Sequence, residues 1–170
     1  MKKSMVLLLI TLLLSLALPV NATESLHSHP ACGSACHHEE SCDSCEYVPL
    51  TGSQLTSGCY YLTGNSSRSN LTIQAGETVH ICLNGHSMAF AKGYGITVQE
   101  GASLVISDCQ VGGQIYRSHG YGNYDSGILT NNGTLVLYGV DFCLNGNGVG
   151  ISNNGEMAIY GGSFGSGLIN

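Results

Sequence analysis

Positive charge is what this sequence has least of. Of five Lys and Arg residues, Lys2 and Lys3 open the chain and only Arg68, Lys92 and Arg117 follow, against eleven carboxylates. With Lys2 and Lys3 set aside as part of a leader, three cations against eleven anions give a net charge of −8. That balance excludes the basic patches that nucleic acid and anionic membrane surfaces require. Long apolar runs are also absent beyond the N-terminus, so no later segment is suited to cross a bilayer. There is no phosphate-cradling loop, since "GYG" and "GNGVG" lack the strand–helix context of such motifs. A Ser/His/Asp arrangement suited to nucleophilic catalysis is missing as well. Charged residues make up only 9% of the chain, whereas Gly, Ser and Asn are abundant. With regular apolar alternation, this composition points to β-structure with many tight turns rather than to disorder.

Residues 1–22 have the order of a secretory signal peptide. Lys2 and Lys3 precede an apolar run from Met5 to Leu18, and Val20-Asn21-Ala22 offers a small-residue cleavage site. An uncleaved membrane anchor is the competing reading of the same run. Cleavage leaves about 148 residues, enough for one domain with a real core. The expected product is exported, secreted or held at the cell surface, with no membrane contact of its own.

Residues 23–46 hold four Cys, four His and four Glu and almost no apolar side chain. No core can come from this segment, so its order needs disulfides, a metal or docking. Cys32, Cys36, Cys42 and Cys45 frame His37 and His38, with His27 and His29 upstream. Thiolate and imidazole are zinc's preferred ligands, which makes His29, Cys32, Cys36, His37, His38, Cys42 and Cys45 candidate metal ligands. In an exported chain the first reading of the same four cysteines is two disulfides, ahead of a metal site or a solvated spacer. Even a metal here would be structural, and no cofactor is expected for chemistry.

Residues 47–70 read as a lead-in or N-terminal cap, and residues 71–170 as repeats. Four segments align: "LTIQAGETVHICLNG", "ITVQEGASLVISDC", "ILTNNGTLVLYG" and "GISNNGEMAIYG". Each has a short apolar strand, a turn containing Gly76, Gly101, Gly133 or Gly155, and a second, alternating strand. Val79, Ile81 and Leu83, then Leu104 and Ile106, Leu135 and Leu137, Met157 and Ile159 fall at period 2, so each set shares one strand face. The intervals between these glycines are unequal. The longest, from Gly101 to Gly133, carries the loop "GGQIYRSHGYGNYDS", and the shortest, from Gly133 to Gly155, reads as the basic unit. The first inward residue lies three after the Gly in two copies and two after it in the others. A turn longer by one residue is the expected remedy.

A unit this short cannot bury an apolar face alone, whereas stacked copies share a continuous core. Asn131 and Asn153, Tyr138 and Tyr160, and Phe142 and Phe164 all repeat at the Gly133-to-Gly155 interval, as one coil of a parallel β-helix demands. A β-sandwich of hairpins gives no reason to preserve identical turns. The expected fold is therefore all-β, a right-handed parallel β-helix of about four coils.

"YYLTGN", "VHICLNGHSM", "GASLVISDC" and "IYGGSF", in that order, resemble the N-terminal part of large secreted or surface-bound proteins of gut Firmicutes. That group carries right-handed parallel β-helix regions similar in fold to pectate lyases. The resemblance implies a fold and a surface location, and no known activity. This chain departs from the pattern in length, having about four coils where many follow. Its last repeat runs into "GSFGSGLIN" with no polar cap, so truncation, or stacking of another β-helix chain on an open C-terminal end, is expected.

Three further sets of residues bear on function. Cys82 and Cys109 end equivalent strands of adjacent copies and are candidates for a bridge, whereas Cys59 and Cys143 have no evident partner. Tyr116, Arg117, His119, Tyr121, Tyr124 and Asp125 share the inserted loop, where rings beside amides and charges suit a polysaccharide. Asp125 with Arg117 and His119 is also the best acid–base grouping for a β-helix lyase or glycosidase. The acids elsewhere neither pair along a strand nor stack at the interval of the basic unit. The expected function is an exported, non-catalytic β-helix module, structural or adhesin-like, with extracellular polysaccharide as a candidate partner. A fragment of a polysaccharide lyase or glycosidase is the alternative, and a small secreted metal-binding protein the second.

Overall fold

The computed structural model describes residues 27–30, 44–118, 127–143, 150–165 and 168–169. All of their regular structure is β. The chain enters with β1 (His27–Pro30) antiparallel to β2 (Ser44–Pro49). Next come β3 (Gln54–Leu55), β4 (Gly58–Tyr61) and β5 (Ser66–Arg68), then β6 (Leu71–Ile73), β7 (Thr78–Cys82) and β8 (Ser87–Phe90). The following strands are β9 (Ile96–Val98), β10 (Ser103–Ser107) and β11 (Gln114–Arg117), then β12 (Leu129–Asn131), β13 (Thr134–Tyr138) and β14 (Asp141–Cys143). Last are β15 (Ile151–Asn153), β16 (Glu156–Tyr160) and β17 (Leu168–Ile169).

From β3 to β16 every third strand returns to the same sheet. Sheet A has the order β1-β2-β4-β7-β10-β13-β16, sheet B β17-β15-β12-β9-β6-β3, and sheet C β14-β11-β8-β5. All pairings except β1 with β2 are parallel. The result is a three-sided, β-helix-like solenoid. The strands β3, β4 and β5 of the lead-in belong to the same three sheets as the strands after residue 70.

The period-2 pattern explains the core. Val79, Ile81, Leu83, Leu104, Ile106, Leu135 and Leu137 are all buried, joined by Leu71, Ile73, Met88 and Phe90 from the other two sides. Each such side chain contributes about 1.5–3 kcal/mol by leaving water, and no single coil could bury them without its neighbours. Met157 and Ile159 on β16, at the edge of sheet A, are half-buried against this cluster.

Register corrects one detail of the sequence reading. Gly58, Val79, Leu104, Leu135 and Met157 lie in one row, so the coil from Leu104 to Leu135 is the longest, while those from Gly58 to Val79 and from Leu135 to Met157 are the two shortest. Four residues separate β6 from β7 and β9 from β10, but two separate β12 from β13 and β15 from β16. The turns thus differ by two residues, where alignment on the glycines expects one, and Leu129 rather than Ile128 pairs with Ile96. The glycines are not equivalent. Gly76 and Gly101 have φ of 84° and 75°, a left-handed conformation that glycine adopts without penalty. Gly133 and Gly155 instead lie against the preceding coil, where a Cβ would overlap the Ala102 and Gly133 carbonyl oxygens respectively.

Candidate functional site

A linked group of polar side chains lies at the turns from sheet A to sheet C. β7 leaves sheet A through Leu83-Asn84-Gly85-His86, closed by a bond from His86 N to Leu83 O at 2.9 Å. Asn84 and Gly85 both have positive φ, 54° and 74°, as a tight Asn-Gly turn requires. One coil on, Asp108 follows β10 and is 3% exposed. Its carboxylate accepts bonds from Gly113 N (2.6 Å), Gly85 N (2.7 Å) and Gln110 N (3.3 Å). One side chain therefore closes its own turn and ties it to the turn of the coil before. Gly113 is a glycine because a Cβ there would meet Asp108 Oδ2 at 2.6 Å and Leu83 Cβ at 2.7 Å.

Two sulfurs flank the same turn. Cys82 Sγ accepts a bond from Asn84 N at 3.3 Å, and the Cys109 thiol donates to Asn84 Oδ1 at 3.5 Å. Gln110 Nε2 donates to that Oδ1 as well, at 2.9 Å. Burial pushes the Cys82 thiol up to about 12, with its hydrogen bond to the Cys109 thiol adding to the effect. Cys82 and Cys109 are both thiols here, outside any disulfide, as is the exposed Cys143, whereas Cys59 is disulfide-bonded.

The corner from sheet C to sheet B carries the cations. Arg68, Phe90 and Arg117 occupy one row. Arg117 is 3% exposed and donates to the carbonyls of Tyr94 (2.6 Å), Ala91 (2.8 Å) and Gly127 (3.1 Å). Arg68 donates to Gly52 O and Leu50 O, each at 2.7 Å. Both guanidiniums hold the loops of their corner. A surface hollow of about 110 Å³ lies there, lined by Asn70, Thr97, Thr130 and Tyr94 among others, and the Tyr94 ring is 45% exposed.

The residues singled out from sequence fall unevenly on this frame. Tyr116 stands half-buried in β11, between Ala89 and Cys143 of the adjoining strands. His119, Tyr121, Tyr124 and Asp125 lie outside the described residues, as do Cys32, Cys36, His37, His38 and Cys42. For His29 and Cys45 only the backbone is described, paired across β1 and β2. Among the described residues no group of three or more His, Cys, Asp or Glu is placed to hold a metal. Nor is any described helix long and apolar enough to cross a membrane.

The rows anticipated from the basic unit do form. The Tyr138 and Tyr160 rings stack at 4.9 Å between centroids, and Phe142 and Phe164 at 5.5 Å. Asn131 is fully buried and its Nδ2 donates to Asn153 Oδ1 at 2.6 Å and to Glu156 O at 2.8 Å. Sequence reasoning missed the link between Asp108 and Gly85 of the Asn84-Gly85 turn. The signal was present in "LNG" and "SDC", a left-handed turn in one copy and a carboxylate in the next.

These features define a class of protein: a β-solenoid of three parallel sheets whose turns are bonded to one another from coil to coil. No family model, curated protein or solved structure matches the chain.

Proposed function

We propose that the protein is an exported, non-catalytic β-helix module, right-handed in its coiling, that serves as a rigid structural or adhesin-like element at the cell surface. The observation that carries this reading is where the polar side chains direct their bonds. Asp108, Arg68, Arg117, Asn131 and Asp141 each reach across to the backbone or side chains of another turn. Groups so committed stiffen a scaffold, whereas a general acid or base needs a proton within its reach on a substrate. Right-handed coiling follows the general hand of parallel β-crossovers. Export is supported by the leader-like N-terminus, and surface location by the resemblance to surface-bound β-helix proteins.

Contact with an extracellular polysaccharide is the second reading. The hollow beside Tyr94 favours it, because an exposed phenol ring there adjoins an amide and two threonines, the combination that sugar rings and hydroxyls require. Incubating the purified chain with a panel of plant and host polysaccharides tests both. Retention on a glycan without release of reducing or unsaturated sugar is the expected result. Turnover of any glycan would replace the structural reading with an enzymatic one. Recovery of the protein in the cytosol of the producing cell would remove the export on which the reading depends.

A further inference from the structure

We propose that Cys82 and Cys109 form an oxidisable dithiol, entered through Cys109 and closed by Cys82, which locks adjacent coils covalently when the protein meets a low-molecular-weight disulfide. The proposal rests on the thiol geometry and stands apart from the functional reading above.

Geometry brings the two sulfurs against one residue, Asn84. Cys82 Sγ lies 3.3 Å from Asn84 N and Cys109 Sγ 3.5 Å from Asn84 Oδ1. Asn84 is held by its left-handed turn, by its Nδ2 bond to Leu62 O at 3.2 Å and by Gln110. Cys109 also neighbours the Cys82 thiol closely enough to help raise its pKa. Cys82 ends β7 directly beside Ser107, and Cys109 follows Ser107 by two residues on the next coil. The Asp108 carboxylate accepts from Gly85 N, so the two turns are already joined when the sulfurs meet.

Accessibility sets the order of events. Cys82 is fully buried, while Cys109 is half-buried. A small disulfide RSSR is therefore attacked at Cys109, forming Cys109–S–SR and releasing RSH. Cys82 then attacks the Cys109 sulfur of that mixed disulfide, forming Cys82–S–S–Cys109 and releasing a second RSH. Two thiols are oxidised, one RSSR is reduced to two RSH, and the two protons leave on the departing thiols. The high thiol pKa of Cys82 slows its attack from solvent, and proximity within the mixed disulfide offsets that cost.

The experiment treats the leaderless chain with oxidised glutathione under native conditions and maps its peptides without reduction. The expected product joins the Cys82 peptide to the Cys109 peptide, with loss of two hydrogens. Its melting temperature should rise by about 5–10 °C and return on reduction. Cys109→Ser should abolish both the link and the rise, and should leave Cys82 unreactive toward iodoacetamide until the chain unfolds. A stable glutathione adduct on Cys109 with Cys82 unlinked would overturn the proposal. So would a bridge from Cys82 to any other cysteine, or rapid native-state labelling of Cys82 in the Cys109→Ser chain. Should that variant not fold, the wild-type peptide map decides by itself.

Discussion

The coil of β9–β11 and the coil of β12–β14 lie side by side in the same three sheets yet hold their turns differently. The first relies on charged groups bonded to backbone: Asp108 gathers three N–H groups and Arg117 three carbonyls. The second relies more on like residues stacked on like, with Asn131 over Asn153 and Tyr138 over Tyr160, beside an Asp141 carboxylate that accepts only from Ser163. The difference follows coil length. The longer coil, from Leu104 to Leu135, has six residues between β10 and β11 where the next has two between β13 and β14, and there one carboxylate accepts from several backbone N–H groups. The shorter coil, from Leu135 to Met157, has only two residues between its strands of sheets B and A, and there a repeated amide suffices.

That contrast can be broken by substitution. Asp108→Ala strips acceptors from the Gly85 and Gly113 N–H groups and should cost about 3–5 kcal/mol in urea unfolding. Asn131→Ala removes the bonds to Asn153 and Glu156 and should cost less, about 2–3 kcal/mol. If the two losses prove equal, the coils are held alike and the distinction fails. Tyr160→Ala removes one half-exposed ring of a stacked pair and should cost about 1 kcal/mol. A double-mutant cycle with Tyr138→Ala isolates the stacking.

The smallest effect concerns pH and belongs to the coil before these. Burial lowers the His80 pKa below its ordinary 6.5, and its Nδ1 is buried with no hydrogen-bond partner. The neutral ring is thus favoured in the folded state. Its contribution is fully present above pH 6.5 and is lost as pH falls toward the folded pKa, because the unfolded chain takes up the proton first. Urea midpoints should therefore decline as pH falls from neutrality through the ordinary histidine range, and His80→Asn should flatten that part of the curve. The Glu77 carboxylate, lowered by its bonds to Ser57, responds only in more acid solution, so the two are separable.

Much of this frame was readable from the chain. Alternation at Val79/Ile81 and Leu135/Leu137 placed the core, and the common interval of the paired Asn, Tyr and Phe residues placed their rows. Turn length was not readable, because Gly101 and Gly133 look alike in sequence while one serves a left-handed turn and the other a close approach between coils. Arg117 looked like a loop residue available to a ligand. Its burial depends on carbonyls of Ala91 and Tyr94 in the preceding coil, which no local pattern announces. The link between Asp108 and Gly85 is hidden for the same reason: the partners are far apart in sequence and meet only through stacking.

The in-register rows have a consequence for the protein as a ruler. Each coil advances the solenoid by one strand spacing, about 4.8 Å, in the long coil from Leu104 to Leu135 as in the short one from Leu135 to Met157. Extra chain within a coil adds nothing to the axis. Axial reach is therefore counted in turns of the solenoid and not in residues.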